Sequence, residues 1–198
     1  MRKLLWCGVI AGPLFTIVLL IQGAARPDYD PLRHPGSSLA IGPGGWVQSA
    51  NFIVAGLLTL AFSLSMGTRR AWLVAVWALG LIGAGIFVSD PVNGYPPGTP
   101  LTPATLTAAG RGHDAVSLAG FLALLLAFFA FARGRGRAWA VYSVVSAVVY
   151  LGALVLSSIG WAQVEPWVDL AGLLQRVAVV TGWAWLTALA YYAIRHSG

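Results

Sequence analysis

Apolar residues in this chain do not recur at the spacing of a surface helix. They run almost unbroken for about 20 residues at a time, and the runs repeat. The segments lie at about 4–24, 46–66, 71–89, 113–132, 138–158 and 168–194. Roughly 20 apolar residues in helical form cross the ~30 Å hydrocarbon layer of a bilayer. The pattern therefore predicts an all-α membrane protein, a six-transmembrane-helix bundle occupying residues 1–198 as one domain. The first run, MRKLLWCGVIAGPLFTIVLLIQGAA, begins basic and ends in small residues as a secretion signal does. Its apolar part is longer than a signal core, so it reads as the first span.

Polar positions between the runs are sorted by side. The turns MGTRR and ARGRGR are short and basic, whereas 25–45, 90–112 and 159–167 are longer and rich in Pro, Gly and acids. Eight basic residues (Arg2, Lys3, Arg69, Arg70, Arg133, Arg135, Arg137 and Arg195) share the side of the short turns. Only Arg26, Arg33 and Arg111 fall in the opposite loops. The positive-inside rule then places the N- and C-termini in the cytoplasm and the long Pro/Gly-rich loops outside. All six acids, Asp28, Asp30, Asp90, Asp114, Glu165 and Asp169, lie in the outer half. Any chemistry is expected there.

Composition narrows the classes further. The chain is 58% hydrophobic and 9% charged, with a mean hydropathy of +0.78, far outside the soluble range. Its net charge of +6 reads as membrane orientation and not as a nucleic-acid footprint. Cys7 is the single cysteine, so no intrachain disulfide forms. Eleven Arg against one Lys, with abundant Ala and Gly, suggest a high-GC bacterial genome and a multi-pass protein of the plasma membrane. Gly8 and Gly12, and Gly80 with Ala84, have the small-residue spacing of closely packed spans. Trp46, Trp161 and Trp167 fall at the outer boundary, and Trp72 and Trp139 at the inner one, as an aromatic belt would. Asp30-Pro31, Asp90-Pro91 and Glu165-Pro166 are read as turn chemistry where helices stop.

Arg176 is the most informative single residue. It lies about 12 Å into the sixth span, where an unpaired guanidinium costs about 2.5–3.5 kcal/mol even on insertion scales. It should face the interior and be paired, with Asp169, Asp90 and Asp114 as candidate partners and Gln175 beside it. It either fixes helix register or orients an anionic ligand. His113-Asp114 opens the fourth span and Asp90 closes the third. With His34 these groups suit a metal site, an acid–base pair or polar capping of helix ends, and the sequence leaves all three open. Gln48 and Asn51 share a helical face in the second span, either bonding across helices or lining the same cavity. No HExxH, phosphate loop or GxSxG elbow is present.

The segments YDPLRHPGSSLAIGPGGWVQSANF, GAGIFVSDPVNGYPPGTP, GRGHD and AGLLQRVAVVTGWAW together resemble a bacterial six-span membrane family, catalogued as domain of unknown function number 998. The resemblance covers almost the whole chain. It implies a six-helix bundle and brings no activity, ligand or catalytic residue.

These readings converge on an outward-facing polar pocket. Arg176 and Gln175 would form the floor, and Asp90, His113 and Asp114 the rim, under a lid at 26–45 whose Asp30, Arg33 and His34 turn inward. The expected ligand is lipid-like or anionic, and membrane lipids are the expected surroundings. If chemistry occurs, His113 would be the general base, Asp114 or Asp90 would orient it, and Arg176 would neutralise developing charge. Two alternatives remain: a structural or assembly subunit and a small-molecule transporter. Metal and cofactor content and homo-oligomerisation stay open, and no nucleic-acid partner is expected.

Overall fold

A computed structural model describes residues 2–196, without the side chain of Arg2. Helix dominates it: α1 (Leu5–Ala25), α2 (Trp46–Ser65), α3 (Ala71–Ile86), α4 (Ala108–Ala132), α5 (Arg137–Trp161) and α6 (Ala171–Arg195). Short 3₁₀ turns precede α1 and α6 and lie at Gly36–Ala40 in the first long loop. Each helix packs on its sequence neighbours and α6 closes back on α1, forming a ring. Because the helices run alternately up and down, the loops 26–45, 87–107 and 162–170 gather at one end. The short basic turns gather at the other.

The outward faces carry the apolar residues a soluble surface lacks. Ile21, Leu64, Leu118 and Val148 are all more than half exposed, as expected against hydrocarbon. Trp46 and Trp72 are exposed at opposite ends of the ring, where the belt places them. Among the described residues five helices are long and apolar enough to cross a membrane, so this is a multi-pass membrane protein.

The third segment departs from expectation. A span to residue 89 is predicted, but α3 has 16 residues and stops at Ile86. At 1.5 Å per residue it is about 24 Å long, short of a full crossing. Phe87 leaves the helix in an extended conformation. Two local features account for this: the Gly-rich LIGAGI weakens the last turns, and Asp90-Pro91 follows at once. The lost turn is returned at α4, which begins at Ala108 and not at 113, capped by the Thr107 hydroxyl accepting the Gly110 N–H at 2.9 Å. The predicted cytoplasmic chain ends, Met1 and Ser197–Gly198, lie outside the described residues.

The two ends of the ring are packed differently. Toward the basic end the interior is filled by Phe128, Phe131, Tyr150 and Trp185, all almost fully buried. The Trp185 indole donates to Ser143 Oγ at 3.0 Å, joining α6 to α5. Gly8 fits against Phe62 and Ala190, and Gly12 against Trp183, so the first small-residue pair packs α1 on α2 and α6. Toward the acidic end the packing opens into a cavity.

Candidate functional site

The cavity holds about 320 Å³ and is walled by α1, α2, α3, α4 and α6, with α5 contributing only its last residue, Trp161. It gathers six residues singled out from the sequence: Gln48, Asp90, His113, Asp114, Gln175 and Arg176. They arrive from α2, the end of the third segment, α4 and α6. Below them Phe15, Phe52, Trp77, Phe121 and Trp183 form an aromatic floor. Asp114 is exposed while Gln48 is fully buried, so the lining runs from the surface into the core.

Arg176 has no carboxylate partner, contrary to expectation. Its Nη1 donates to the carbonyl oxygens of Pro31 (2.6 Å), His34 (3.0 Å) and Gly172 (2.9 Å), and its Nη2 to the Tyr29 hydroxyl. The guanidinium also lies over the Tyr29 ring, 5.6 Å from its centroid. A planar fork of donors suits such a set of carbonyls better than an ammonium would. The contact depends on Gly172, where a Cβ would meet the His34 carbonyl oxygen at 2.5 Å. Gln175, one residue earlier, accepts the Gly36 N–H at 2.8 Å through Oε1. Together Arg176 and Gln175 fasten the first loop over the cavity.

That loop is inward only in part. His34 is buried between the rings of Tyr29 and Tyr95, with centroids 5.5 and 5.0 Å away, and its Nδ1 accepts the Asp30 N–H at 2.9 Å. Burial pushes the His34 imidazole below its ordinary pKa, with Asp30 opposing. Burial likewise pushes the Tyr29 phenol up, against the pull of the Arg176 guanidinium. Asp30 and Arg33 correct the expectation. Asp30 is exposed and its Oδ1 accepts the Leu32 N–H at 2.8 Å. Arg33 pairs with Asp169 at 3.5 Å, taking the acid expected to serve Arg176. Both sit in a loop turn whose geometry is fixed by local backbone bonds, which directs their side chains away from the cavity. The loop is tied sideways too: Asn93 Nδ2 donates to the Arg33 carbonyl at 3.2 Å, and Gln163 Nε2 donates to Asn93 Oδ1. All three long loops thus interlock into one cap.

His113 is buried on α4, and its Nδ1 lies 2.8 Å from the Phe87 carbonyl oxygen. A carbonyl only accepts, so Nδ1 is the donor of this pair, and in the neutral ring Nε2 is left as the acceptor. The orienting group is therefore a main-chain carbonyl released by the early end of α3, and not Asp114 or Asp90. Asp90 is occupied elsewhere: Oδ2 accepts the Thr107 N–H and Oδ1 the Thr107 hydroxyl, both at 2.8 Å. A negative charge there also suits the N-terminus of α4. Among the described residues, no three His, Cys, Asp or Glu side chains converge to hold a metal ion.

Gln48 and Asn51 build a polar seam between α1 and α2. Gln48 Oε1 accepts from Gln22 Nε2 at 2.9 Å and from Asn51 Nδ2 at 3.2 Å, while Asn51 also donates to the Phe15 carbonyl at 3.1 Å. Gln48 lines the cavity; Asn51 lies behind it. The sequence reading missed Tyr29, Trp77 and Trp183. The last two carried a signal, since they fall in mid-span, away from both belts.

A family model described as protein of unknown function (DUF998) matches residues 9–192. The chain belongs to this family. No curated protein and no solved structure matches it. This DUF998 chain is thus a multi-pass helical protein with a capped polar cavity toward its acidic end.

Proposed function

We propose that this DUF998 protein is a six-span protein of the bacterial plasma membrane, with cytoplasmic termini, that binds a lipid-like or anionic small ligand in an outward-facing cavity. The observation that carries the reading is convergence. Gln48, His113, Asp114, Gln175 and Arg176, from three helices, share one lining of about 320 Å³ above an aromatic floor. A concave, mostly apolar site with a few convergent polar groups is the usual form of a small-molecule pocket. His113 Nε2, held as an acceptor by the Phe87 carbonyl, is the group that would take a proton if the protein is an enzyme. Mass spectrometry of the protein purified in mild detergent tests the reading. A co-purifying lipid lost in a Gly120→Leu variant that fills the cavity supports it, and a ligand-free protein sinks it.

One observation favours the structural alternative. Arg176 and Asp90 are both spent on internal hydrogen bonds that hold the cap and the start of α4. If the cluster only fixes packing, Arg176→Leu lowers thermal stability and leaves the co-purified lipid content unchanged. The transport alternative has less support, because Trp77 and Trp183 close the floor below the polar rim.

A further inference from the structure

The cavity is rich in donors that nothing in the fold accepts. Among the described residues, nine buried side-chain nitrogen or oxygen atoms lack a hydrogen-bond partner, and five of them belong to lining residues. These are Gln48 Nε2, Trp77 Nε1, Trp161 Nε1, Trp183 Nε1 and Ser89 Oγ. Four of the five are N–H groups, which donate and cannot accept. The Gln48 amide is not free to turn over, because Oε1 is held by two donors. Its NH₂ is thereby left without an acceptor, in a lining residue with no exposed surface. Trp77 and Trp183 are 4% and 2% exposed, and their rings meet edge to face with centroids 5.8 Å apart. Buried unpaired donors are costly and rare in a folded protein, and their concentration around one space points to an acceptor that enters it.

Charge selects the kind of acceptor. The lining holds one cation, Arg176, and two carboxylates, Asp90 and Asp114. The Arg176 Nη1 is divided among three main-chain carbonyls and Nη2 is met by Tyr29. An anion would meet two acids and a cation already engaged. A neutral oxygen suits lining residues that hold four unpaired N–H groups.

We infer that the cavity recognises an uncharged amphiphile whose polar part presents carbonyl oxygen, its apolar part lying on Phe15, Leu19, Phe52 and Phe121. This rests on the pocket reading above and narrows it. Quinone lipids and fatty esters share that chemistry, and the experiment separates them.

The protein in nanodiscs is titrated with decylubiquinone, methyl laurate, dodecyl phosphate and dodecane, reading the midpoint of the tryptophan fluorescence change. Saturable binding of decylubiquinone supports a quinone source, and saturable binding of methyl laurate, direct or by displacing the quinone, supports an ester. Trp183→Phe keeps an aromatic ring but removes the N–H, and should weaken the carbonyl probe about 3- to 10-fold. Trp161→Phe, at the looser rim, should act in the same direction if Trp183→Phe does not fold. Trp72→Phe, exposed and outside the lining, should leave the midpoint unchanged. Tighter binding of dodecyl phosphate than of both carbonyl probes overturns the neutral-carbonyl inference and leaves the pocket standing. An unchanged midpoint in both rim and floor variants overturns the donor assignment. Failure of every probe to saturate a folded protein overturns the pocket reading as well.

Discussion

The guanidinium of Arg176 donates to the main-chain carbonyl of His34 at 3.0 Å, joining the sixth helix to a loop 142 residues earlier. Its deep cation is neutralised by carbonyl dipoles and not by an acid. Removing it would strip a shared donor from the carbonyls of Pro31, His34 and Gly172. Arg176→Leu should cost about 1–3 kcal/mol and expose Arg33 to trypsin. Arg176→Lys should recover only part, because one ammonium cannot fork across the same carbonyls. Equal tryptic half-lives for wild type and Arg176→Leu would rule this role out.

Arg33 and Asp169 give the opposite expectation. Their ion pair is 3.5 Å long and the Asp169 side chain is 75% exposed. Exposed pairs contribute about 0–1 kcal/mol, and less at high salt. Asp169→Asn should therefore shift the unfolding midpoint very little, and the small shift should vanish in high salt. A shift as large as that of Arg176→Leu would mean that Asp169 supports the cap by another route.

How much of this could be read from the sequence follows from the physics of each feature. The helical runs and the separation of short basic turns from long acidic loops are local: hydropathy finds the runs, and charge placement sorts the connections. The convergence of His113, Asp114, Gln175 and Arg176 was legible because ionisable groups near spans must face inward. Pairing was not. A carboxylate looks like the natural partner for Arg176 in a list of residues, but a loop can present carbonyls that no residue type announces. The same holds for His113, whose partner is a carbonyl exposed only because α3 ends at Ile86. Trp77 and Trp183 were hidden in a different way. Indoles are abundant at membrane interfaces, and only their depth, with no acceptor nearby, marks these two.

Gly110 and Asp90 form a matched pair. A Cβ on Gly110 would sit 2.0 Å from Asp90 Oδ2, the oxygen that accepts the Thr107 N–H. Gly110→Ala should displace that carboxylate and cost about 1–2 kcal/mol, the scale of a lost N-cap. Asp90→Ala should cost about 0.5–1.5 kcal/mol, the net worth of hydrogen bonds whose Thr107 donors then meet solvent. Since both changes break one bracket, the double variant should be no worse than about the larger single effect. Full additivity in thermal unfolding would show that the two residues act separately.

His34 should make the cap sensitive to acid. Its Nδ1 accepts the Asp30 N–H, so protonation there removes an acceptor inside a buried aromatic cluster. Burial lowers its pKa, Arg33 and Arg176 push the same way, and Asp30 and the Asn93 backbone oppose them. The folded pKa therefore lies below the unfolded value of about 6.5. Between those two values the unfolded chain holds the extra proton, so stability rises with pH across that window. It is fully present above about pH 6.5 and declines as pH falls through the folded pKa, by at most about 1.4 kcal/mol per pH unit. Thermal unfolding followed as the solution is acidified should show the decline. His34→Phe keeps the ring contacts with Tyr29 and Tyr95 and has no proton to gain. It should start less stable, having lost the Asp30 acceptor, but its profile should be flatter over that window. A slope as steep as wild type in His34→Phe would place the acid response on another group.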